Sequence, residues 1–151
     1  MQTDQLSIRS IILADDDDDL EFFSAAVKSL VPLPNIEYVS NGIRLMQLLE
    51  HVYPDLLFLD LEMPFKNGLE YLVEIRASEK LKELPVVVFS STTRPANIQT
   101  AYDMGAHLFL LKSSNFDEYT NSIQAIVKLN WSDPQKIKEQ YCVNGRYTVF
   151  Q

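Results

Sequence analysis

The chain has 151 residues, 46% of them apolar and 23% charged, with a formal net charge of −8. Those proportions suit a single soluble domain with a real core and exclude a disordered chain or a disulfide scaffold. The acidic balance argues against binding a nucleic-acid backbone. The apolar runs are too short for a membrane span, and the lone Cys142 with no basic-apolar leader suits a reducing cytoplasm.

Residues 7–14 (SIRSIILA) predict a strand that becomes fully buried toward its end. Five aspartates follow at positions 15–19. Leu20, Phe23, Ala26/Val27 and Leu30 have the spacing of an amphipathic helix, which Pro32 and Pro34 stop. Asp17, Asp18 and Asp19 suit the start of that helix, where carboxylates meet exposed amides. Residues 36–39 (IEYV) predict a short edge strand, and Ser40 or Asn41 caps a helix burying Leu45, Leu48/Leu49 and Val52.

Residues 54–60 (PDLLFLD) form an apolar run ending in a carboxylate, as expected of a central strand covered on both faces. A loop over 61–67 follows, and Gly68 is expected to take a conformation that other residues avoid. The next helix is expected to bury Leu69, Leu72/Val73 and Ile75. Residues 84–90 (LPVVVFS) predict a fourth strand ending in hydroxyls. Pro95 opens a helix carrying Ile98, Ala101/Tyr102 and Met104, which Gly105 closes. A fifth strand covers 107–111 and ends at Lys112, and a last long helix shows Phe116, Tyr119, Ile123, Ile126/Val127 and Asn130.

Five alternations of strand and helix predict a parallel sheet with helices on both faces and right-handed crossovers. Parallel strands bring their ends to one rim, which collects Asp15, Asp16, Asp60, Ser90, Ser91 and Lys112. Two carboxylates about 4 Å apart at an effective dielectric near 20 repel by on the order of 4 kcal/mol. A folded rim relieves this by protonating one acid or by holding a cation. Oxygen ligands without His or Cys favour a hard ion such as Mg²⁺. An Asp, a Lys and Mg²⁺ together suit phosphoryl transfer, and Asp60, alone at a central strand end, is the natural acceptor.

These residues resemble the response-regulator receiver domain of two-component signalling, chemotaxis-type and single-domain, over about 8–128. The resemblance rests on Asp15-Asp16 after the first strand and on Asp60 followed by Met63-Pro64 and Gly68. Ser90, Phe109 and Lys112 complete the ordered set. It implies a flavodoxin-like, doubly wound five-stranded sheet of order 2-1-3-4-5. It further implies that Asp60 is the phosphoacceptor and Lys112 contacts the phosphoryl group. Asp16 and Asp60 would bind Mg²⁺ directly, with the Glu62 backbone carbonyl as a third ligand and Asp15 acting through water. A histidine kinase or histidine phosphotransfer protein would donate the phosphoryl group, and a downstream protein would read the result. Ser90 and Phe109 would be the switch pair, Ser90 moving to the phosphoryl group and Phe109 rotating inward. Glu62 and Thr92 occupy the positions expected to tune phosphate lifetime.

One departure stands out: Ser113 follows Lys112 where the family usually has proline, often with a cis bond. It keeps open a degenerate receiver that binds partners without phosphorylation. A Mg²⁺-dependent phosphohydrolase with an Asp nucleophile is a further alternative. A flavin or dinucleotide binder is disfavoured, because five acids stand where a Gly-rich phosphate loop belongs.

Residues 1–151 thus read as one receiver domain with a core at about 8–130 and an extension at 131–151. Asp133-Pro134 starts a short helix and Asn144-Gly145 makes a tight turn. The extension either packs on its own domain or offers Trp131, Tyr141, Tyr147 and Phe150 to a partner or a homodimer. His51, His107 and Cys142 read as structural or inert.

Overall fold

Apolar residues that alternate along a strand need a layer of helices on each side, and the chain supplies both. In the computed structural model, residues 7–15, 20–64, 66–91 and 94–150 are described. The order is β1 (Ser10–Ala14), α1 (Leu20–Val27), β2 (Asn35–Val39), α2 (Gly42–Leu49), β3 (Leu56–Asp60), α3 (Gly68–Ala77), β4 (Val86–Ser90), α4 (Pro95–Asp103), β5 (Leu108–Leu111) and α5 (Phe116–Val127). The five strands pair in parallel in the order β2-β1-β3-β4-β5, the flavodoxin-like arrangement the sequence implies.

Strand parity sorts the core into two layers. Leu13, Phe58, Phe89 and Leu110 face one layer with Phe23 of α1 and Ile123 of α5. Ala14, Leu57, Leu59, Val88 and Phe109 face the other with Leu45, Leu72 and Tyr102 from α2, α3 and α4. Each fully buried Leu, Ile, Val or Phe contributes on the order of 1.5–3 kcal/mol. β3, central and buried at every residue, is held from both sides.

Helix starts follow local chemistry. Asn41 accepts from the Arg44 N–H, Asn115 from the Glu118 N–H, and Asn67 forms a capping box with Glu70. Three expected apolar positions fall outside: Val73 is 47% exposed, Met104 41% and Phe116 49%. Tyr71 fills the place expected of Val73, one turn before Ile75.

Gly68 also departs from expectation. It is an ordinary first helical residue, absent from the positive-φ positions. A Cβ there would lie 2.3 Å from the Asp60 carbonyl oxygen, so close backbone approach, and not an unusual φ, demands glycine.

Beyond α5, Trp131 is buried and donates its indole N–H to the Ile126 carbonyl. α6 (Pro134–Gln140) follows, and β6 (Cys142–Val143) and β7 (Arg146–Tyr147) form a two-residue-per-strand hairpin. Asn144 and Gly145 take φ of 53° and 78° at its tip, as a tight turn requires. Tyr141 and Phe150 pack against the core, so the expected aromatic contacts are made within the chain. Among the described residues no helix is long and apolar enough to cross a membrane.

Candidate functional site

Register builds the site. Ala14 of β1 pairs with Leu59 of β3, so one residue further the chain sets Asp15 beside Asp60 on adjacent strands. Asp60 pairs with Phe89, and Ser90 with Leu111, which carries Ser90 and Lys112 to the same rim. Backbone bonds secure it: the Asp15 N–H donates to the Val39 carbonyl, Leu61 to Phe89, and Lys112 to Ser90. The Tyr38 hydroxyl donates to the Asp15 carbonyl at 2.8 Å.

Both carboxylates are fully buried, and both lie against Lys112, whose side chain is 12% exposed. Lys112 Nζ is 2.9 Å from Asp60 Oδ2 and 3.4 Å from Asp15 Oδ1. It also sits 4.9 Å from the centre of the Phe89 ring. The other Asp60 oxygen accepts the Glu62 N–H at 2.9 Å. A strand register and one buried ammonium thus hold two like charges where mutual repulsion would otherwise part them. The peptide after Lys112 is trans, and the lysine reaches both acids without the family's proline.

The Ser90 hydroxyl donates to Glu62 Oε2 at 2.5 Å, and the Ser91 hydroxyl reaches Glu62 Oε1 at 3.5 Å. Glu62 therefore has a backbone tie to Asp60 and a side-chain tie to β4. Phe109 is fully buried, paired with Val88 two residues before Ser90. Its ring lies inside the core with the α2, α3 and α4 side chains. Asp16 and Thr92, expected as a metal ligand and a phosphate-lifetime residue, lie outside the described residues, as do Asp17, Asp18 and Asp19.

Three contributors went unnoticed in the sequence. Tyr38 is a β2 residue whose hydroxyl reaches across to β1, and no local pattern marks it. The Phe89 ring under Lys112 follows from strand parity once the register is known. Tyr102 accepts the Phe109 N–H at 3.0 Å, seven residues along the chain. His107 is structural, accepting the Val86 N–H on Nδ1, and burial pushes its pKa down to about 3 with Arg76 and Lys138 adding to the shift.

The family model of the response regulator receiver domain matches residues 11–124. The chain belongs to the response regulator receiver family. Receivers of this family are signalling domains of two-component systems. The nitrate/nitrite response regulator protein NarL of Escherichia coli K12 is 40% identical over 99 residues, covering 63% of this chain and 45% of that protein. The response regulator Rcp1 of Synechocystis is 34% identical over 73 residues, covering 48% of this receiver and 50% of Rcp1. The receiver spans about half the length of the curated relatives it matches. Among solved structures, the phosphorylated cyanobacterial phytochrome response regulator RcpA superposes with a TM-score of 0.75 at 28% identity, over 80% of this chain and 91% of that one. The Mn²⁺-bound form of Rcp1 gives 0.76 at 25% identity, over 83% and 96%.

Proposed function

We propose that this receiver is a cytoplasmic switch phosphorylated on Asp60 and acting through protein–protein contacts. The observation that carries the reading is the meeting of Asp15 and Asp60, both fully buried, on the Lys112 ammonium at the rim of the sheet. A phosphohistidine on a histidine kinase or histidine phosphotransfer protein is the donor. An Asp60 carboxylate oxygen attacks phosphorus, the P–N bond breaks, and the imidazole leaves with the electron pair. Lys112, already 2.9 Å from Asp60, neutralises charge on the transferred group.

The donor set suits a hard divalent cation: Asp15 and Asp60 offer oxygen, with Asp16 and the Glu62 carbonyl beside them by resemblance. Mg²⁺ held there would neutralise phosphoryl oxygens. The phosphorylated state of RcpA and the Mn²⁺ bound to Rcp1, both of the same fold, support the two halves of this reading. Once Asp60 carries phosphate, Ser90 leaves Glu62 for the new oxygens, and the α4–β5 surface presents the changed state. The chain makes no external product; it catalyses its own phosphorylation and slow hydrolysis.

Incubation with acetyl phosphate and Mg²⁺, followed by intact mass measurement, tests the proposal. One added phosphoryl group, lost in Asp60→Asn, is expected. Continuous phosphate release without an adduct would mark a phosphohydrolase, and neither adduct nor release would mark a binding module that works without phosphorylation.

A further inference from the structure

β5 is an edge strand, and an edge strand presents backbone groups that no neighbouring strand takes. Successive residues aim those groups to alternate sides, so Phe109, between Leu108 and Leu110, faces the open edge. Here both of its groups are engaged from outside the sheet. Its N–H donates to the Tyr102 hydroxyl at 3.0 Å, and its carbonyl accepts the Phe150 N–H at 2.8 Å. The Tyr102 hydroxyl in turn donates to the Thr148 carbonyl at 2.8 Å. Gln99, one turn earlier on α4, grips Tyr147 on both sides. Its Nε2 donates to the Tyr147 carbonyl at 2.6 Å and its Oε1 accepts the Tyr147 N–H at 3.0 Å.

Four of these five bonds go to tail backbone; the fifth, from the Phe109 N–H, positions the Tyr102 hydroxyl for Thr148. Among the side chains, Tyr147 stacks on Tyr102 at 4.5 Å between centroids and 14° between planes, and Phe150 lies against Tyr141 at 5.8 Å. The surface therefore reads an extended main chain that sets one aromatic ring on Tyr102 and apolar side chains, here Val149 and Phe150, against the core. The occupying segment hangs from a hairpin of two residues per strand, a small anchor for a displaceable strand.

We propose that the α4–β5 edge is a strand-addition site for an extended, aromatic-bearing segment of a partner protein, and that residues 147–150 are its resident occupant in cis. A partner strand would place an aromatic ring on Tyr102 and its backbone on Gln99 and Phe109, displacing the tail. Tethering gives the tail a millimolar-scale effective concentration, so a weak external strand loses to it. The site is complete without phosphate on Asp60, so its failure and that of the phosphorylation reading are separate results.

The test uses the full chain carrying Tyr147→Ala and Phe150→Pro, which loosens the tail and leaves Gln99, Tyr102 and Phe109 intact. The probe is a synthetic peptide of residues 144–150. NMR of the labelled chain follows the Phe109 amide and the Gln99 side-chain amide. Saturable shifts of both are expected, with affinity at least tenfold above that for the parent chain and for a peptide with Ala at the Tyr147 position. No shift at millimolar peptide, equal binding by the parent, or equal binding of the Ala peptide would overturn the proposal. Tyr147→Ala alone, titrated in the same way, decides the matter if the double variant does not fold.

Discussion

Ser90, at the end of β4, donates a hydrogen bond from its hydroxyl to Glu62, two residues past Asp60, across 2.5 Å. The bond ties the hydroxyl expected to meet a phosphoryl group to a carboxylate that would repel the same group. Glu62 is itself held in place by its N–H on Asp60 Oδ1.

Glu62→Gln replaces a charge-assisted bond with a neutral one, a difference of about 1 kcal/mol. It also removes a negative charge, and a possible base, from beside the phosphoryl group. Both effects favour the phosphorylated state. The acyl phosphate is expected to last about fivefold longer in this variant, measured as decay of the intact-mass adduct after acetyl phosphate is removed. An unchanged or shorter lifetime would show that Glu62 does not restrain Ser90.

Lys112→Met leaves Asp15 and Asp60, both fully buried, without the ammonium between them. Breaking a buried pair in this way costs about 3–5 kcal/mol. A divalent cation in the same place would restore part of it. Mg²⁺ at tenfold its dissociation constant is expected to return about 1.4 kcal/mol, and more to the variant than to the parent. Urea unfolding with and without Mg²⁺ reads this; an equal effect on both chains would argue against a cation at these acids.

Gly68→Ala drives a Cβ to 2.3 Å from the Asp60 carbonyl oxygen and 3.0 Å from Leu61 Cα. Both neighbours are backbone, so the loop after β3 must move. A loss of about 1–3 kcal/mol is expected, with slower labelling of Asp60 by acetyl phosphate. Full stability in urea would mean that this loop yields at no cost.

His107 carries a pKa lowered to about 3 because burial disfavours its charged form. Its ordinary value near 6.5 returns on unfolding, so below that pH the unfolded chain binds the extra proton. Stability contributed by the neutral ring is complete above about pH 6.5 and drains away as pH falls toward 3, by about 1.4 kcal/mol per pH unit. Between pH 6.5 and 5 the loss is about 2 kcal/mol. His107→Asn, which retains an acceptor for the Val86 N–H, is expected to flatten this part of the pH profile of the urea midpoint. A profile as steep as the parent's would assign the slope to other groups.

The layered fold was legible in residue order because a parallel sheet buried on both faces leaves an unmistakable trace. The run ending at Asp60 and the β-branched stretch before Ser90 could hardly be anything else. Asp133 with Pro134, and Asn144 with Gly145, announced a helix start and a turn through local chemistry alone. The rim was legible too, since parallel strands bring their ends together whatever lies between them.

Contacts between residues distant in the chain were another matter. That Glu62 accepts the Ser90 hydroxyl, that Gly68 is required by the Asp60 carbonyl, and that Phe109 is fully buried depend on packing across strands. The tail was legible as a helix and a turn, but its place along the β5 edge is written in backbone hydrogen bonds. Backbone is the same at every residue, so sequence carries almost no record of where it pairs; only the assembled sheet, with one edge left to cover, decides that.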